Sequence, residues 1–197
     1  MKLTLKQFEV LTAIERNENK LSQREIAKET DMSLGTINKT ISELVENKLI
    51  NNDNIITEEG LKNLEPYRVK RAIFLAAGFG SRLVPITLNT PKPLVLVNGK
   101  RIIETLLDAV NKAGIEEIYI VTGYLSEQFE VLKKKYSNIQ FIENKLYNEA
   151  NNISSAYQVR NLIKNSYVLE SDLYLYNPKL IRKYEYHSNF LGYYIDR

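Results

Sequence analysis

Ala72-Ile-Phe-Leu-Ala-Ala-Gly-Phe-Gly-Ser-Arg-Leu83 is the most informative segment of this 197-residue chain. It begins as a hydrophobic run, which predicts a buried strand, and continues into two glycines and an arginine. Glycine allows positive φ angles and a close approach of the backbone, both of which a cradle of N–H groups around phosphates requires. Lys92, in Pro91-Lys-Pro-Leu94, adds a second cation to Arg82. The segment therefore predicts a triphosphate site at the carboxyl end of the first strand of an α/β domain.

Two common phosphate-binding loops do not fit this segment. A dinucleotide-binding fingerprint needs a third glycine where Leu83 stands, and a Walker A loop needs Gly-Lys-Ser/Thr at the start of its helix. What remains is Leu-Ala-Ala-Gly-x-Gly-x-Arg, followed by Pro85-x-Thr87 and then by Pro91-Lys-Pro-Leu94. The composite is far more specific than the paired glycines alone.

From Val69 onward, strand and helix patterns alternate, which predicts a parallel sheet with right-handed crossovers. The predicted strands are Arg71–Leu75, Glu117–Thr122, Gln140–Glu143 and Tyr167–Glu170. The predicted helices are Ile102–Ala113, Ser126–Tyr136, Ser154–Ile163 and Pro178–Tyr184. This half of the chain is expected to have an α/β fold.

The composite motif resembles the sugar-nucleotide and phosphocholine nucleotidyltransferases, and the likeness covers about residues 70 to 177. It continues through Val97-Asn-Gly-Lys-Arg-Ile-Ile-Glu104 and through the strand that ends in Val-Thr-Gly123. Asn148-Glu-Ala-Asn-Asn-Ile-Ser-Ser155 looks closer to the CTP:phosphocholine cytidylyltransferases. The resemblance implies a Rossmann-like enzyme that transfers a nucleotidyl group from CTP to phosphocholine and releases pyrophosphate. A sugar-1-phosphate nucleotidyltransferase that uses another NTP is the alternative within the class.

The same resemblance implies roles for individual residues. Arg82 pairs with the β- and γ-phosphates, Lys92 neutralises charge at the α-phosphate, and Asp172 binds Mg²⁺. The backbone that holds the base and the phosphates is that of Leu75, Ala76, Ala77, Gly78, Phe79 and Gly80. Asn151 and Asn152 line the base pocket, although they are also suited to cap the following helix. Asp172 is equally a residue type that ends strands, and Tyr174 and Tyr176 fit either a cation–π cage for choline or ordinary packing.

The first 67 residues predict a small, mostly α-helical unit. Helical patterns with Ser22 and Ser33 as caps, then the polar turn Asn51–Asn54 and a last short helix, indicate a winged helix-turn-helix. The segment from Leu21 to Ile50 resembles the winged-helix domains of MarR-like regulators. That resemblance places five residues in a DNA groove: Ser33, Thr36, Asn38, Lys39 and Thr40. Nine Lys/Arg against twelve Asp/Glu make the segment acidic, so a module for packing or protein contacts is the competing interpretation.

Two domains are therefore expected, a winged helix at 1–67 and a nucleotidyltransferase domain at 68–197. The second domain is expected to be truncated, with its acceptor-binding part beyond Arg197, because the family usually continues past this point. A regulator with a nucleotide-sensing but catalytically incomplete domain is the alternative from another class. The absence of cysteine excludes disulfides and thiolate metal sites, and neither an apolar run long enough to span a membrane nor a secretory segment is apparent, so we expect a cytoplasmic protein without membrane insertion.

Overall fold

The computed structural model describes residues 2–18, 21–149 and 152–190, which form two compact units. The first unit contains the chain up to Arg68 together with the segment from Tyr184, and the second is Val69–Lys183. The predicted division assigned everything after residue 67 to the second domain. The structure differs because Tyr184 is buried in the core of the first unit. None of the described helices is long and apolar enough to cross a membrane.

The first unit has the winged-helix element order predicted from the sequence. Its helices are α1 (Leu5–Arg16), α2 (Gln23–Thr30), α3 (Leu34–Glu46) and α4 (Glu58–Leu64). A hydroxyl group caps each of them by accepting a bond from a backbone N–H three residues on, and the capping residues are Thr4, Ser22, Ser33 and Thr57. An antiparallel bridge between Ile50 and Ile56 closes the wing before α4.

The segment from Tyr184 completes the core of this unit. Tyr184 forms an antiparallel bridge with Arg68, and the ring of Tyr186 stacks on that of Tyr67 at 5.3 Å with an interplanar angle of 7°. Tyr186 also contacts Phe8, with ring centroids 5.2 Å apart, and its hydroxyl donates a 2.8 Å hydrogen bond to the carbonyl of Leu3. The predicted helix Pro178–Tyr184 is wrong beyond its first turn, because Tyr184 pairs with distant chain rather than continuing the 3-10 turn Pro178–Leu180.

We expect Tyr186→Ala to lower the free energy of unfolding of the first unit by about 2 kcal/mol, since it removes a partly buried ring and its aromatic contacts. Tyr186→Phe, which removes only the hydroxyl, should cost about 1 kcal/mol. Urea denaturation followed by circular dichroism measures both. Phe190→Ala is the control, because that ring is 96% exposed. If Tyr186→Ala proved as stable as Phe190→Ala, the segment would not contribute to the core.

The second unit is built on a four-stranded parallel sheet. Its strands are β1 (Arg71–Ala76), β4 (Glu117–Thr122), β5 (Ile139–Glu143) and β6 (Ser166–Glu170), in the order β5-β4-β1-β6. A short antiparallel hairpin, β2 (Leu96–Val97) and β3 (Lys100–Arg101), precedes α5 (Ile102–Lys112), and α6 is Asn152–Gln158. The predicted parallel α/β architecture is confirmed. The predicted helix Ser126–Tyr136 is instead a 3-10 helix, Ser126–Lys134.

The order of the strands determines where a ligand can bind. β4 and β5 lie on one side of β1, whereas β6 lies on the other, so the direction of the crossovers reverses beside β1. In open α/β sheets, ligands bind in the crevice outside the carboxyl ends of the strands at this reversal. The loop after β1 contains the two glycines, and the loop after β6 contains Asp172. Strand order therefore places both predicted parts of the site at one edge.

Candidate active site

The structure brings Lys92 and Asp172 into direct contact, although they are eighty positions apart in the chain. The Nζ atom of Lys92 lies 2.6 Å from Oδ2 of Asp172, and both side chains are partly exposed. The hydroxyl of Ser171 donates a 2.6 Å hydrogen bond to the carbonyl of Leu75, which ties the end of β6 to the end of β1. The predicted catalytic cation and the predicted metal-binding carboxylate thus share one position at the carboxyl edge of the sheet.

Gly80 lies against Lys92 in a left-handed backbone conformation that favours glycine. Its φ angle is +65°, and a Cβ atom there would lie 3.1 Å from the Cβ of Lys92 and 3.0 Å from Cγ2 of Thr87. Thr87 also donates a 2.9 Å hydrogen bond from its hydroxyl to the carbonyl of Gly80. Gly78 differs, because a Cβ atom there would meet nothing within 4 Å. A side chain at position 80 would be strained and crowded, whereas the space beside the backbone of Gly78 is open.

Two further side chains hold the segment that precedes Lys92. The hydroxyl of Tyr124 donates to the carbonyl of Leu88 at 3.0 Å, and Nε2 of Gln128 donates to the carbonyl of Asn89 at 2.9 Å. Sequence reasoning missed both residues. The available signal was the position of Tyr124, two residues after β4, because β4 neighbours β1 in the sheet.

The other predicted side chains of the site are those of Arg82, Asn151 and Asn152. Arg82 is exposed in the 3-10 turn Ser81–Leu83, beside the glycines. Asn151 lies outside the described residues, and for Asn152 only the backbone is described, as the first residue of α6. Their predicted contacts with a base stay predictions.

A cavity of about 310 Å³ lies beneath Tyr174 and Tyr176, whose ring centroids are 4.8 Å apart. Lys100, Lys112 and Asp108 also line it. Burial raises the pKa of the Asp108 carboxyl, but hydrogen bonds from Lys100, Tyr136 and Lys135 outweigh burial and hold the pKa below its usual value. The Asp108 carboxylate already pairs with Lys100 at 2.6 Å and with Lys135 at 3.0 Å, and the cation–π cage for choline stays a prediction.

In the winged-helix unit, one of the five predicted DNA contacts is wrong. Thr40 is only 3% exposed, because it lies three residues after Ile37 and four before Leu44, on the buried face of α3. The hydroxyl of Ser33 caps α3, and that of Thr36 lies 2.9 Å from it. Asn38 and Lys39 are exposed on the opposite face.

Comparison with known proteins identifies the family. Residues 71–189, more than half of the chain, match the model of the nucleotidyl transferase family. The chain belongs to this family. Residues 2–52 of this nucleotidyl transferase match the MarR family, in agreement with the resemblance of the N-terminal helices.

The similar proteins include cytidylyltransferases. The 2-aminoethylphosphonate cytidylyltransferase of Lancefieldella rimae is 40% identical over 128 residues, which are 61% of this chain and 52% of that protein. The choline-phosphate cytidylyltransferase of Streptococcus pneumoniae is 47% identical over 106 residues, which are 54% of this chain and 46% of that protein. This nucleotidyl transferase therefore spans about half the length of the curated relatives it matches.

A solved structure supports the same fold. The CTP:phosphocholine cytidylyltransferase from Streptococcus pneumoniae superposes on this nucleotidyl transferase with a TM-score of 0.56 at 46% identity. The superposition covers 59% of this chain and 50% of that chain. The Rossmann-like fold predicted for the second domain is confirmed.

Proposed function

We propose that this chain transfers the cytidylyl group of CTP to the phosphate of a small acceptor, with release of pyrophosphate. The observation that carries the proposal is the contact between Lys92 and Asp172 beside the glycine loop, at the reversal of strand order. An acceptor oxygen attacks the α-phosphorus, and the bond from that phosphorus to the bridging oxygen of pyrophosphate breaks. An acceptor phosphate is already anionic at neutral pH, so positioning and charge neutralisation can carry the reaction without a protein nucleophile.

Three parts of the site have different proposed roles, which follow from their positions. Lys92 provides an ammonium group, held by the loop that Tyr124 and Gln128 fasten, to neutralise charge that develops at the α-phosphoryl group. The backbone around Gly78 has the open space that a close approach of phosphates requires. Arg82, exposed in the following turn, is available to the outer phosphates.

Mg²⁺ is the metal proposed for this reaction. Asp172 fits it, because Mg²⁺ is usually held by one or two carboxylates together with substrate phosphates rather than by an all-protein cage. In the described parts of the chain no group of three or more His, Asp or Glu side chains is arranged to hold a metal. When bound, Mg²⁺ neutralises negative charge on the triphosphate and its leaving group.

The acceptor is proposed to be phosphocholine or a compound of the same class. The named substrates of the relatives are choline phosphate and 2-aminoethylphosphonate. Both have an anionic phosphorus group and a nitrogen at opposite ends of a two-carbon chain, and choline phosphate has an ester oxygen between the phosphorus and that chain. Pyrophosphate release is therefore measured from CTP with these two acceptors and, in parallel, from other NTPs with sugar 1-phosphates. Release with CTP and an aminated acceptor is expected. Release only with a sugar 1-phosphate would contradict the proposal and support a sugar-1-phosphate nucleotidyltransferase instead.

The two loop glycines provide a matched pair of variants. We expect Gly78→Ala to leave stability within about 0.5 kcal/mol of wild type, because its methyl group meets open space, yet to weaken CTP binding. Gly80→Ala should cost about 1–2 kcal/mol, because an alanine would have to adopt a positive φ. Thermal denaturation and titration calorimetry with CTP separate the two effects. Wild-type CTP affinity in Gly78→Ala would show that the nucleotide does not approach this backbone.

As a second function, we propose that the winged helix binds DNA through α3. The match of residues 2–52 to the MarR family and the exposure of Asn38 and Lys39 support it. A gel shift on mixed-sequence genomic fragments across salt concentrations tests it, because phosphate contacts make such binding weaken as salt rises. Lys39→Ala should weaken the shift, whereas Lys164→Ala, an exposed lysine of the second unit, should not. No shift at low salt would leave the unit as a packing or protein-contact module.

A further inference from the structure

Three aromatic rings form a wall beside the glycine loop. The ring centroid of Phe79 lies 5.0 Å from that of Tyr124 and 5.4 Å from that of Tyr147, with interplanar angles of 47° and 55°. Phe79 stands between the two glycines, and it is 46% exposed although its side chain is wholly apolar. We call Phe79, Tyr124 and Tyr147 the aromatic wall.

The wall is joined to the loop backbone at short range. The backbone N–H of Tyr124 donates a 3.1 Å hydrogen bond to the carbonyl of Ala77. Tyr147 packs directly on Gly123, since a Cβ atom at Gly123 would lie 2.6 Å from the Cβ of Tyr147 and 2.9 Å from the carbonyl oxygen of Ala77. Only glycine permits this approach. The wall and the phosphate-binding backbone therefore form one continuous surface.

Phe79 keeps about half of its surface exposed although its ring contacts two other aromatic rings. Covering the exposed part of this ring would contribute about 25 cal/mol per Å² of apolar surface removed from water. Here the ring remains half open beside Gly78, where the neighbouring space is also open. A ligand that fits has a flat, apolar face attached to a chain of phosphates.

We propose that the aromatic wall is the stacking surface for the base of the nucleoside triphosphate, with Phe79 as its main contact. This inference rests on the proposed function and adds affinity-determining residues to its nucleotide site. Stacking on an aromatic ring contributes similarly for every base, because each base has a π face. The wall therefore strengthens binding of nucleotides without choosing among them, and the choice of cytosine falls to hydrogen-bonding groups.

Inorganic tripolyphosphate separates stacking from phosphate binding, because it has three linked phosphates like CTP but lacks the ribose and the base. Titration calorimetry in the presence of Mg²⁺ gives dissociation constants of the full 197-residue chain for CTP, UTP and tripolyphosphate. We expect Phe79→Ala to weaken CTP and UTP by the same factor, about tenfold, and to leave tripolyphosphate unchanged. Phe79→Tyr keeps a ring and should stay within about twofold of wild type. Phe190→Ala is the control for loss of an exposed phenylalanine.

Two results would overturn the inference alone: unchanged CTP affinity in Phe79→Ala, or equal weakening of CTP and tripolyphosphate. A loss of affinity for CTP with unchanged affinity for UTP would also overturn it, since the wall would then distinguish cytosine from uracil. If the wild-type chain binds tripolyphosphate but no nucleotide, or binds neither, both the inference and the proposed function fail. Circular dichroism of each variant checks that the exposed position tolerates the change without loss of fold.

Discussion

We expect replacement of Lys92 with alanine to lower the rate of the proposed cytidylyl transfer by about 10²–10³-fold, the usual effect of removing one preorganised charge stabiliser. In the proposed reaction, negative charge builds up around the α-phosphoryl group as the acceptor attacks. Asp172, 2.6 Å away, holds the Lys92 ammonium in position beside the glycine loop. An interaction that is stronger in the transition state than in the ground state appears in kcat. The measurement is pyrophosphate release from CTP and phosphocholine, with the affinity for CTP determined separately.

Lys164→Ala is the matched control, because Lys164 is an exposed lysine of the same unit, in the loop before β6. It should leave turnover unchanged. Lys92→Arg keeps the charge but replaces a compact ammonium with a planar, larger group, so it should recover only part of the rate. Turnover by Lys92→Ala equal to that of Lys164→Ala would refute the role proposed for Lys92.

We expect replacement of Asp172 with asparagine to remove the proposed Mg²⁺ dependence of CTP binding. Loss of groups that support a metal commonly lowers its affinity about 10–100-fold, and loss of a ligand should do at least as much. The Lys92–Asp172 pair is partly exposed, so its removal should change the free energy of unfolding by less than about 1 kcal/mol. Calorimetric titration of CTP with and without Mg²⁺ measures the first effect, and urea denaturation measures the second. Neither measurement needs an acceptor.

Glu143→Gln is the control for Asp172→Asn. Glu143 is an exposed carboxylate at the carboxyl end of β5, on the same edge of the sheet as Asp172. Three strand spacings separate β5 from β6, roughly 14 Å, which is too far for both to contact one metal ion. If both variants kept the Mg²⁺ dependence of wild type, the metal would have to be held elsewhere.

The glycine loop shows how much of the site was predictable. The types of residue around it, two glycines, an arginine and a proline-framed lysine, are enough to indicate phosphate chemistry. The distinction between the glycines was not predictable, because it depends on Thr87 and Lys92 folding back against Gly80 and not against Gly78. The roles of Tyr124 and Gln128 were not predictable either, because their partners, the carbonyls of Leu88 and Asn89, lie in a distant part of the chain.

Thr40 is a different case. Helical periodicity in the sequence predicts that Thr40 is buried, but the family resemblance led to the wrong prediction of a DNA contact. Its spacing from Ile37 and Leu44 places it on the buried face of α3. Resemblance assigned it to DNA by its position in a motif, whereas helical periodicity assigns it to the core. The burial of its side chain agrees with the periodicity.

Local sequence dictates the kinds of element, their order and the chemistry of the loop after β1. Hydrophobic periodicity, helix caps and glycines act over a few residues, so they can be read along the chain: β4 is Glu117–Thr122 and Ser22 caps α2, as predicted. Which distant residues meet is a property of the folded chain alone. Folding brings Lys92 to Asp172, sets the aromatic wall beside Gly78, and returns Tyr184 and Tyr186 to the first unit. Those contacts depend on strand order and on competition between buried surfaces, which no local pattern contains.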